Sequence, residues 1–253
     1  MISRLLTSNV FEVALTKEEI SQRTGIPTGK SSGKVEPHIK YAEYMGLLQD
    51  SFKDGKHTLI MTPLGRAICS EDPSLTEKVS ILTCYLRITS LNGGAPLWET
   101  IIAEILPRNR FQITEPALRD TLLKETDVSI NFGPFFSSFD DAFFSSLQIL
   151  DRSKDAIRII KQRYDSEMIF SYAYAFLREW EFRYPERDEL TADEIETFLL
   201  PGVLGWHNQD FYSIMEYMQE KKLLIFNRQL VPYTITRFFE SEAIIPRLYD
   251  ELC

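Results

Sequence analysis

The spacing of hydrophobic and polar residues near the start of the chain predicts two helices joined by a turn. Thr16-Lys17-Glu18-Glu19 has the Thr-x-x-Glu form of a capping box, which satisfies free backbone donors at a helix start. Gly25-Ile26-Pro27 must end that helix. Ile39, with Tyr41, Ala42 and Met45, then supplies the three-and-four spacing of a buried stripe. A second helix is therefore expected over about residues 34–45.

A hairpin is predicted directly after this second helix. Gly46-Leu47-Leu48 ends the helix, and the polar tip Lys53-Asp54-Gly55-Lys56 precedes an alternating strand over residues 57–62. Thr62-Pro63-Leu64-Gly65-Arg66 then opens another helix. The order helix, turn, helix, hairpin and helix predicts a winged helix-turn-helix over residues 1–70, with the hairpin as its wing.

The rest of the chain is predicted to be mainly α, with a helical body over residues 71–189 and a C-terminal helical unit over 190–253. Helical spacing runs through residues 75–221, including a helix that should stop at Pro107 and a long helix over 166–184. Thr191-Ala192-Asp193-Glu194 is a second capping box, followed by a helix over 208–221 and a small hairpin. The C-terminal part is therefore interpreted as a second, degenerate winged-helix unit. Strand is expected only in two hairpins, near residues 48–62 and 223–233.

Six phenylalanines between residues 131 and 144 form the densest aromatic segment. Such a cluster is typical either of a base-stacking platform or of core packing. The flanking carboxylates of Asp140 and Asp141 would repel phosphates, so core packing is the preferred interpretation.

Composition excludes several classes of protein. At 253 residues and 44% hydrophobic, the chain can bury a large core, and its apolar runs are shorter than the roughly 18–20 residues that span a bilayer. The first residues lack the form of a signal peptide. Cys69, Cys84 and Cys253 match no metal-binding or disulfide pattern, which predicts reduced thiols in the cytoplasm, without a metal or cofactor.

Charge is distributed unevenly along the chain. The formal net charge is -9, which argues against a general nucleic-acid binder. Residues 1–66 nevertheless carry nine lysines and arginines against seven acids, whereas the remainder carries 19 basic and 30 acidic residues, a balance of -11. A basic module can present a phosphate-facing surface, because only the local field acts within a Debye length of about 8–10 Å.

Double-stranded DNA is the predicted partner of this N-terminal module. In a winged helix the second helix enters the major groove and the wing lies along the backbone. Lys34, His38 and Tyr41 are therefore expected to approach base edges. The residues expected to meet phosphates are Lys30, Ser31, Ser32, Lys40, Lys53 and Lys56. Glu36 and Glu43 lie on the same helix and oppose this assignment, and the alternative is that the lysines are only solvated and Tyr41 belongs to the core.

Two short motifs carry a resemblance to a known family. The first motif is Thr62-Pro63-Leu64-Gly65-Arg66-Ala67-Ile68, and the second, shortly after it, is Glu71-Asp72-Pro73-Ser74-Leu75. This pattern is similar to a phosphorothioation-associated bacterial family, the SspB-like component of DNA sulfur-modification and phage-defence systems. The resemblance implies DNA binding in the service of backbone modification, with strand nicking as a further activity.

Catalytic chemistry has weak support in the sequence. No phosphate-binding loop, dinucleotide fingerprint or zinc-protease motif is present. Asp210 and the segment Glu220-Lys221-Lys222 supply the residue types of a metal-dependent nuclease. Glu220, however, is predicted at a helix end and not on a strand, so the usual geometry of such a site is missing. His207 is interpreted as a hydrogen-bonded loop residue, so no catalytic residue is nominated. Three hypotheses remain: a DNA-binding component of a modification or defence complex, a DNA-nicking nuclease on the same frame, and an adaptor that binds other proteins through its acidic body.

Overall fold

The computed structural model describes residues 1–29, 33–126, 131–153, 156–229 and 231–252. About half of the chain is helical, which confirms the mainly α prediction. The α-helices are α1 (Ile2–Leu6), α2 (Lys17–Thr24), α3 (Val35–Tyr44), α4 (Pro63–Glu71), α5 (Lys78–Ile88), α6 (Pro96–Trp98), α7 (Leu106–Arg108), α8 (Glu115–Thr126), α9 (Gly133–Asp140), α10 (Ile169–Arg183), α11 (Ala192–Ile195), α12 (Leu199–Val203) and α13 (Asn208–Glu220). The strands are β1 (Ala14–Leu15), β2 (Leu48–Lys53), β3 (Lys56–Met61), β4 (Gln112–Thr114), β5 (Leu150–Ser153), β6 (Ala156–Ile159), β7 (Glu189–Thr191), β8 (Leu224–Asn227) and β9 (Thr234–Arg237).

One order of elements occurs three times along the chain. A helix and a short strand are followed by two or more helices and then by two further strands. In each case the three strands form an antiparallel sheet whose last strand lies in the middle, in the orders β1-β3-β2, β4-β6-β5 and β7-β9-β8. We name these segments the first unit (2–61), the second unit (96–159) and the third unit (169–237).

The expectation that strand occurs only in two hairpins, near residues 48–62 and 223–233, is wrong, because the second unit contains a three-stranded sheet. Its strands are only three or four residues long. In β6, Ile157 and Ile159 are buried on either side of the less buried Arg158. An alternation this short does not stand out against the helical spacing of the neighbouring segments.

Two element boundaries also differ from the sequence-based expectation. The helix expected to stop at Pro107 widens into a π-helix over Glu99–Ile105, and Pro107 lies inside the short helix that follows. In the third unit the last strand begins at Thr234, later than expected, since Val231 is 93% exposed and Pro232 cannot donate a ladder hydrogen bond.

A single hydrophobic core connects the three units. It extends from Leu5 in α1 to Leu248 near the end of the described chain, and it includes five of the six phenylalanines of residues 131–144. The core-packing interpretation of that aromatic segment is therefore confirmed. Within the described residues, no helix has the length and apolar character needed to cross a bilayer.

Candidate nucleic-acid interface

The first unit holds α2 and α3 in a fixed arrangement through local hydrogen bonds and burial. The Thr16 backbone N–H donates to Glu19 Oε2 at 2.7 Å, and the Glu19 N–H donates to Thr16 Oγ1 at 3.2 Å, so the predicted capping box is present. Gly25 ends α2 in the left-handed region, with φ of 67°. Below these turns Ile20, Ile26 and Ile39 are fully or almost fully buried, which fixes α3 on the core.

One face of α3 lines a large cleft. A cavity of about 740 Å³ lies between the first and second units, and it is bordered by Lys34, His38 and Tyr41. These three residues are spaced at roughly one helical turn. The Tyr41 ring lies edge-on to Trp98 with 5.4 Å between ring centroids, so it is half-buried against the second unit. Phe143 lines the same cleft. Of the residues predicted to approach base edges, Lys34 is exposed and the other two lie deeper.

His38 is held in one protonation state by its surroundings. Its Nδ1 lies 2.5 Å from the Lys34 carbonyl oxygen, so Nδ1 must carry the proton and donate it. Burial lowers the pKa of His38, although the hydrogen bond to Lys34 opposes this effect. The neutral ring therefore keeps Nε2 as a hydrogen-bond acceptor.

Lys40 lies on a different face of α3. Its Nζ is 3.1 Å from Glu43 Oε2 and 4.9 Å from the centroid of the Tyr44 ring. The hydrogen bond with Glu43 raises the pKa of Lys40, so the ammonium keeps its charge. This side chain is exposed, and it reaches solvent beside the carboxylate that the sequence analysis identified as an obstacle.

The hairpin places its two predicted lysines together. Lys53 pairs with Lys56 across the tip, and both are exposed. Behind the tip, His57 is buried and its Nδ1 donates to Asp50 Oδ2 at 2.6 Å. The Asp50 backbone N–H in turn donates to Glu43 Oε1 at 2.9 Å. The hairpin is thereby tied to α3 through Glu43.

The structure brings the predicted residues together in two groups. Lys34, His38 and Tyr41 share the cleft, while Lys53 and Lys56 share the hairpin tip. Lys40 lies apart from both, and Lys30, Ser31 and Ser32 lie outside the described residues.

Two aromatic residues near the interface were missed by sequence reasoning. Trp98 belongs to the second unit and reaches α3 only through tertiary packing, so no local pattern marks it. Phe52 is 60% exposed beside the hairpin tip, with its ring centroid 4.6 Å from that of His57. Alternation along β2 does not reveal its exposure, because Phe52 lies on the same side of the strand as the buried Leu48.

The motif residues that carry the family resemblance have structural roles. Thr62 Oγ1 accepts from the Gly65 N–H at 2.9 Å and donates to the Gly46 carbonyl at 2.6 Å. Asp72 is buried, and its carboxylate accepts the backbone N–H groups of Thr76 at 3.1 Å and Glu77 at 2.9 Å. The motif therefore fixes the passage from the hairpin into α4 and α5.

The residues that have the types expected of a metal-dependent nuclease do not come together at one site. Asp210 lies in the first turn of α13 and pairs with Lys161 at 2.7 Å, whereas Glu220 is the last residue of that helix. Ten residues of α-helix separate them by about 15 Å along the axis. His207 caps the same helix, as its loop interpretation requires. Within the described residues no group of three or more His, Cys, Asp or Glu side chains is arranged to hold a metal ion.

Comparison with solved structures identifies a similar fold. A crystal structure of SspB and one of magnesium-ion-bound SspB both match with a TM-score of 0.72, covering 100% of this chain and 86% of theirs, at 14% and 13% identity. The chain has an SspB-like fold. The resemblance expected from the motifs is thus confirmed at the level of the fold. No protein-family model and no curated protein matches the sequence.

Because the SspB-like fold covers the whole chain, all three units belong to the shared architecture. The first unit carries the predicted DNA-facing residues within that architecture. Its cleft and hairpin tip are accordingly the candidate site.

Proposed function

We propose that this chain is a DNA-binding component of a bacterial DNA backbone-modification system, of the phosphorothioation type, or of a related phage-defence system. The observation that carries the proposal is the SspB-like fold over the full length of the chain. The motifs following the hairpin, which resemble the family encoded beside phosphorothioation genes, support the same role. The division into residues 1–70, 71–189 and 190–253 remains a proposal, and the second sheet favours a middle part with its own strands.

The first unit is proposed to be the winged helix-turn-helix that contacts double-stranded DNA. The order of α2, α3 and the β2–β3 hairpin supports this assignment, as does the pairing of β3 with both β1 and β2. In this class the N-terminal residues of the second helix reach base edges. Lys34 stands at the start of α3, with His38 one turn further along. We therefore assign base contact to His38 and phosphate contact to the exposed ammonium groups of Lys34, Lys40, Lys53 and Lys56.

Electrostatics favour approach through this unit. The Lys53 and Lys56 side chains are exposed at the hairpin tip, in the part of the chain whose charge balance is positive. Steering by a local positive field operates even on an acidic protein, because distant charges are screened. Binding should accordingly be modest and strongly dependent on salt.

The salt dependence of DNA binding tests the proposal. If Lys34, Lys40, Lys53 and Lys56 contact phosphates, the slope of log affinity against log salt should be about -3.6. The Lys34→Ala/Lys40→Ala variant should lower the slope by about two units and weaken binding to all sequences alike. The measurement is fluorescence anisotropy with a labelled duplex over about 50–200 mM salt.

A matched control separates local contact from net charge. Lys124→Ala/Arg163→Ala removes the same charge from two exposed positions outside the first unit and should keep the full slope. An unchanged slope in the Lys34/Lys40 variant would instead support the adaptor alternative, which the -11 balance of the remaining residues favours.

A second candidate function is strand nicking, because one similar crystal structure is that of magnesium-ion-bound SspB. Incubation of supercoiled plasmid with the purified protein and Mg²⁺ distinguishes the two functions. A binding component leaves the plasmid supercoiled, whereas accumulation of open circles would establish the nuclease.

A further inference from the structure

Two arginines meet at a cavity between the first unit and the core helices α5 and α10. Arg87, near the end of α5, is only 7% exposed, and its Nη1 donates to the Asn92 carbonyl at 3.2 Å. Its Nε is buried and has no hydrogen-bond partner among the described residues. Gly46 allows this approach, since a Cβ at that position would lie 2.6 Å from the Arg87 Nε. Gly46 also has φ of 72°, where L side chains are strained.

Arg178 on α10 lines the same cavity, and it too has a guanidinium donor without a hydrogen-bond partner in the described chain. This donor is its Nε–H, which is buried. Tyr174 stands one turn earlier. Burial raises the pKa of its phenol, while the charges of Arg87 and Arg178 and a hydrogen bond with the Arg178 side chain oppose that rise. The two guanidinium groups and the phenol are therefore close neighbours.

The Arg87 guanidinium group remains charged at neutral pH. Burial lowers the pKa of Arg87 to about 10, and the nearby charge of Arg178 contributes to this decrease. Two positive charges in a buried setting repel each other and require an opposite charge nearby.

Within the described part of the chain, no ion pair supplies this charge. Among the described residues, no carboxylate forms an ion pair with Arg87 or Arg178. Two carboxylates line the cavity. Glu43 is already bound to Lys40 and to the Asp50 backbone, and Glu242 is exposed. A cavity of about 410 Å³ is thus lined by the buried Arg87 and the partly buried Arg178, each with an Nε–H that has no hydrogen-bond partner among the described residues.

We propose that this cavity binds a phosphate group, with the Nε–H groups of Arg87 and Arg178 as its donors. Phosphate fits the chemistry because its oxygens accept several charge-assisted hydrogen bonds, and guanidinium groups are suited to donate them. The cavity is also bordered by Lys40 and Tyr44 of α3, so a phosphate on a larger molecule has room to enter from that side. The site does not depend on the proposed DNA contact, since both arginines line the cavity in either case.

Thermal unfolding with inorganic phosphate, compared with chloride at equal ionic strength, tests the site. A ligand that binds only the folded protein raises the melting temperature with its concentration. We expect a saturable rise in the wild type and an at least tenfold weaker apparent affinity in Arg178→Gln, because one charged donor is lost. Arg163→Gln removes the same charge from an exposed position outside the cavity and should behave like the wild type.

Phosphate also stabilises proteins by exclusion from their surfaces, and the variants separate the two effects. An equal rise in the wild type and in Arg178→Gln would overturn the proposal, as would the absence of any phosphate-specific rise. Arg178→Lys, which keeps the charge but loses the Nε–H donor, should show an intermediate affinity. Circular dichroism at the start of each scan confirms that the variants are folded.

Competition identifies the source of the phosphate. Displacement of inorganic phosphate by a short duplex would assign the site to the DNA backbone. Displacement by a nucleoside monophosphate and not by the duplex would assign it to a small phosphorylated ligand. If DNA binding fails while the phosphate-dependent rise persists, only the proposed function is lost.

Discussion

At the scale of single residues, the junction after the hairpin explains why Gly65 is required. A Cβ at Gly65 would lie 1.9 Å from the Leu47 carbonyl oxygen, a contact with backbone that no side-chain rotation can relieve. The neighbouring Thr62 caps α4 and holds the Gly46 carbonyl. Residues of the family-like motif are therefore explained by close packing and capping.

Gly65→Ala should destabilise the protein by about 3 kcal/mol, since overpacking against backbone displaces α4 from β3. Gly55→Ala is the control. Gly55 has φ of 74° but nothing within 4 Å of its Cβ position, so only the backbone conformation costs free energy, about 1 kcal/mol. Urea unfolding of both variants measures the difference. Equal destabilisation would contradict the packing explanation.

Residues with local partners were predictable from the sequence, and those with distant partners were not. Thr16 and Glu19 are three positions apart, so their capping box is visible in the chain itself. Trp98 meets Tyr41, and Arg87 meets Gly46, only after the units pack together. Spacing along the chain contains no information about such encounters.

At the scale of elements, a threonine stands at the same place in all three units. Thr16, Thr114 and Thr191 each follow or end the first strand of a sheet, and each hydroxyl accepts a backbone N–H from the next helix. The long helices were well predicted because many turns repeat one pattern. The strands of the second unit were missed because three or four residues give too little alternation.

The capping box of the third unit predicts a pH-dependent contribution to stability. Hydrogen bonds from Arg187, and then from the Thr191 backbone, lower the pKa of Glu194 to about 2 from its usual 4.5. A carboxylate with a depressed pKa stabilises the folded state above the unfolded pKa, and this effect is lost as pH falls. Glu194→Gln should therefore destabilise the protein at pH 7, and its difference from wild type should shrink between pH 4.5 and pH 2.

Urea unfolding at several pH values measures this difference. Glu186→Gln changes an exposed glutamate nearby and should show no comparable pH-dependent difference. A Glu194→Gln difference that stays constant on acidification would show that the capping box contributes through geometry alone.

At the scale of the whole molecule, long-range contacts join the units and the segments between them into one structure. The Tyr85 hydroxyl of α5 donates to the Val203 carbonyl at 2.6 Å, and Lys78 Nζ lies 2.7 Å from Asp165 Oδ2. Together with the continuous core, these contacts leave no unit with an independent interior.

Thermal unfolding is therefore expected to be a single cooperative transition, despite the length of the chain. Differential scanning calorimetry should give equal calorimetric and van't Hoff enthalpies. Trp98→Ala, which removes the ring between Tyr41 and Phe135, should lower the stability by about 3–5 kcal/mol without splitting the transition. An early, separate transition of the first unit would contradict this expectation.

The order of helices and strands that repeats in the three units bears on how the chain evolved. α3 has topological counterparts in α9 and α13, and these counterparts contain no lysine or arginine. α9 instead buries phenylalanines, and α13 carries acidic residues such as Glu216 and Glu220. Duplication of an ancestral segment, followed by divergence of its copies, would produce this arrangement. Two copies would then have become scaffold, and the exposed surface of α3 would carry the proposed DNA contact.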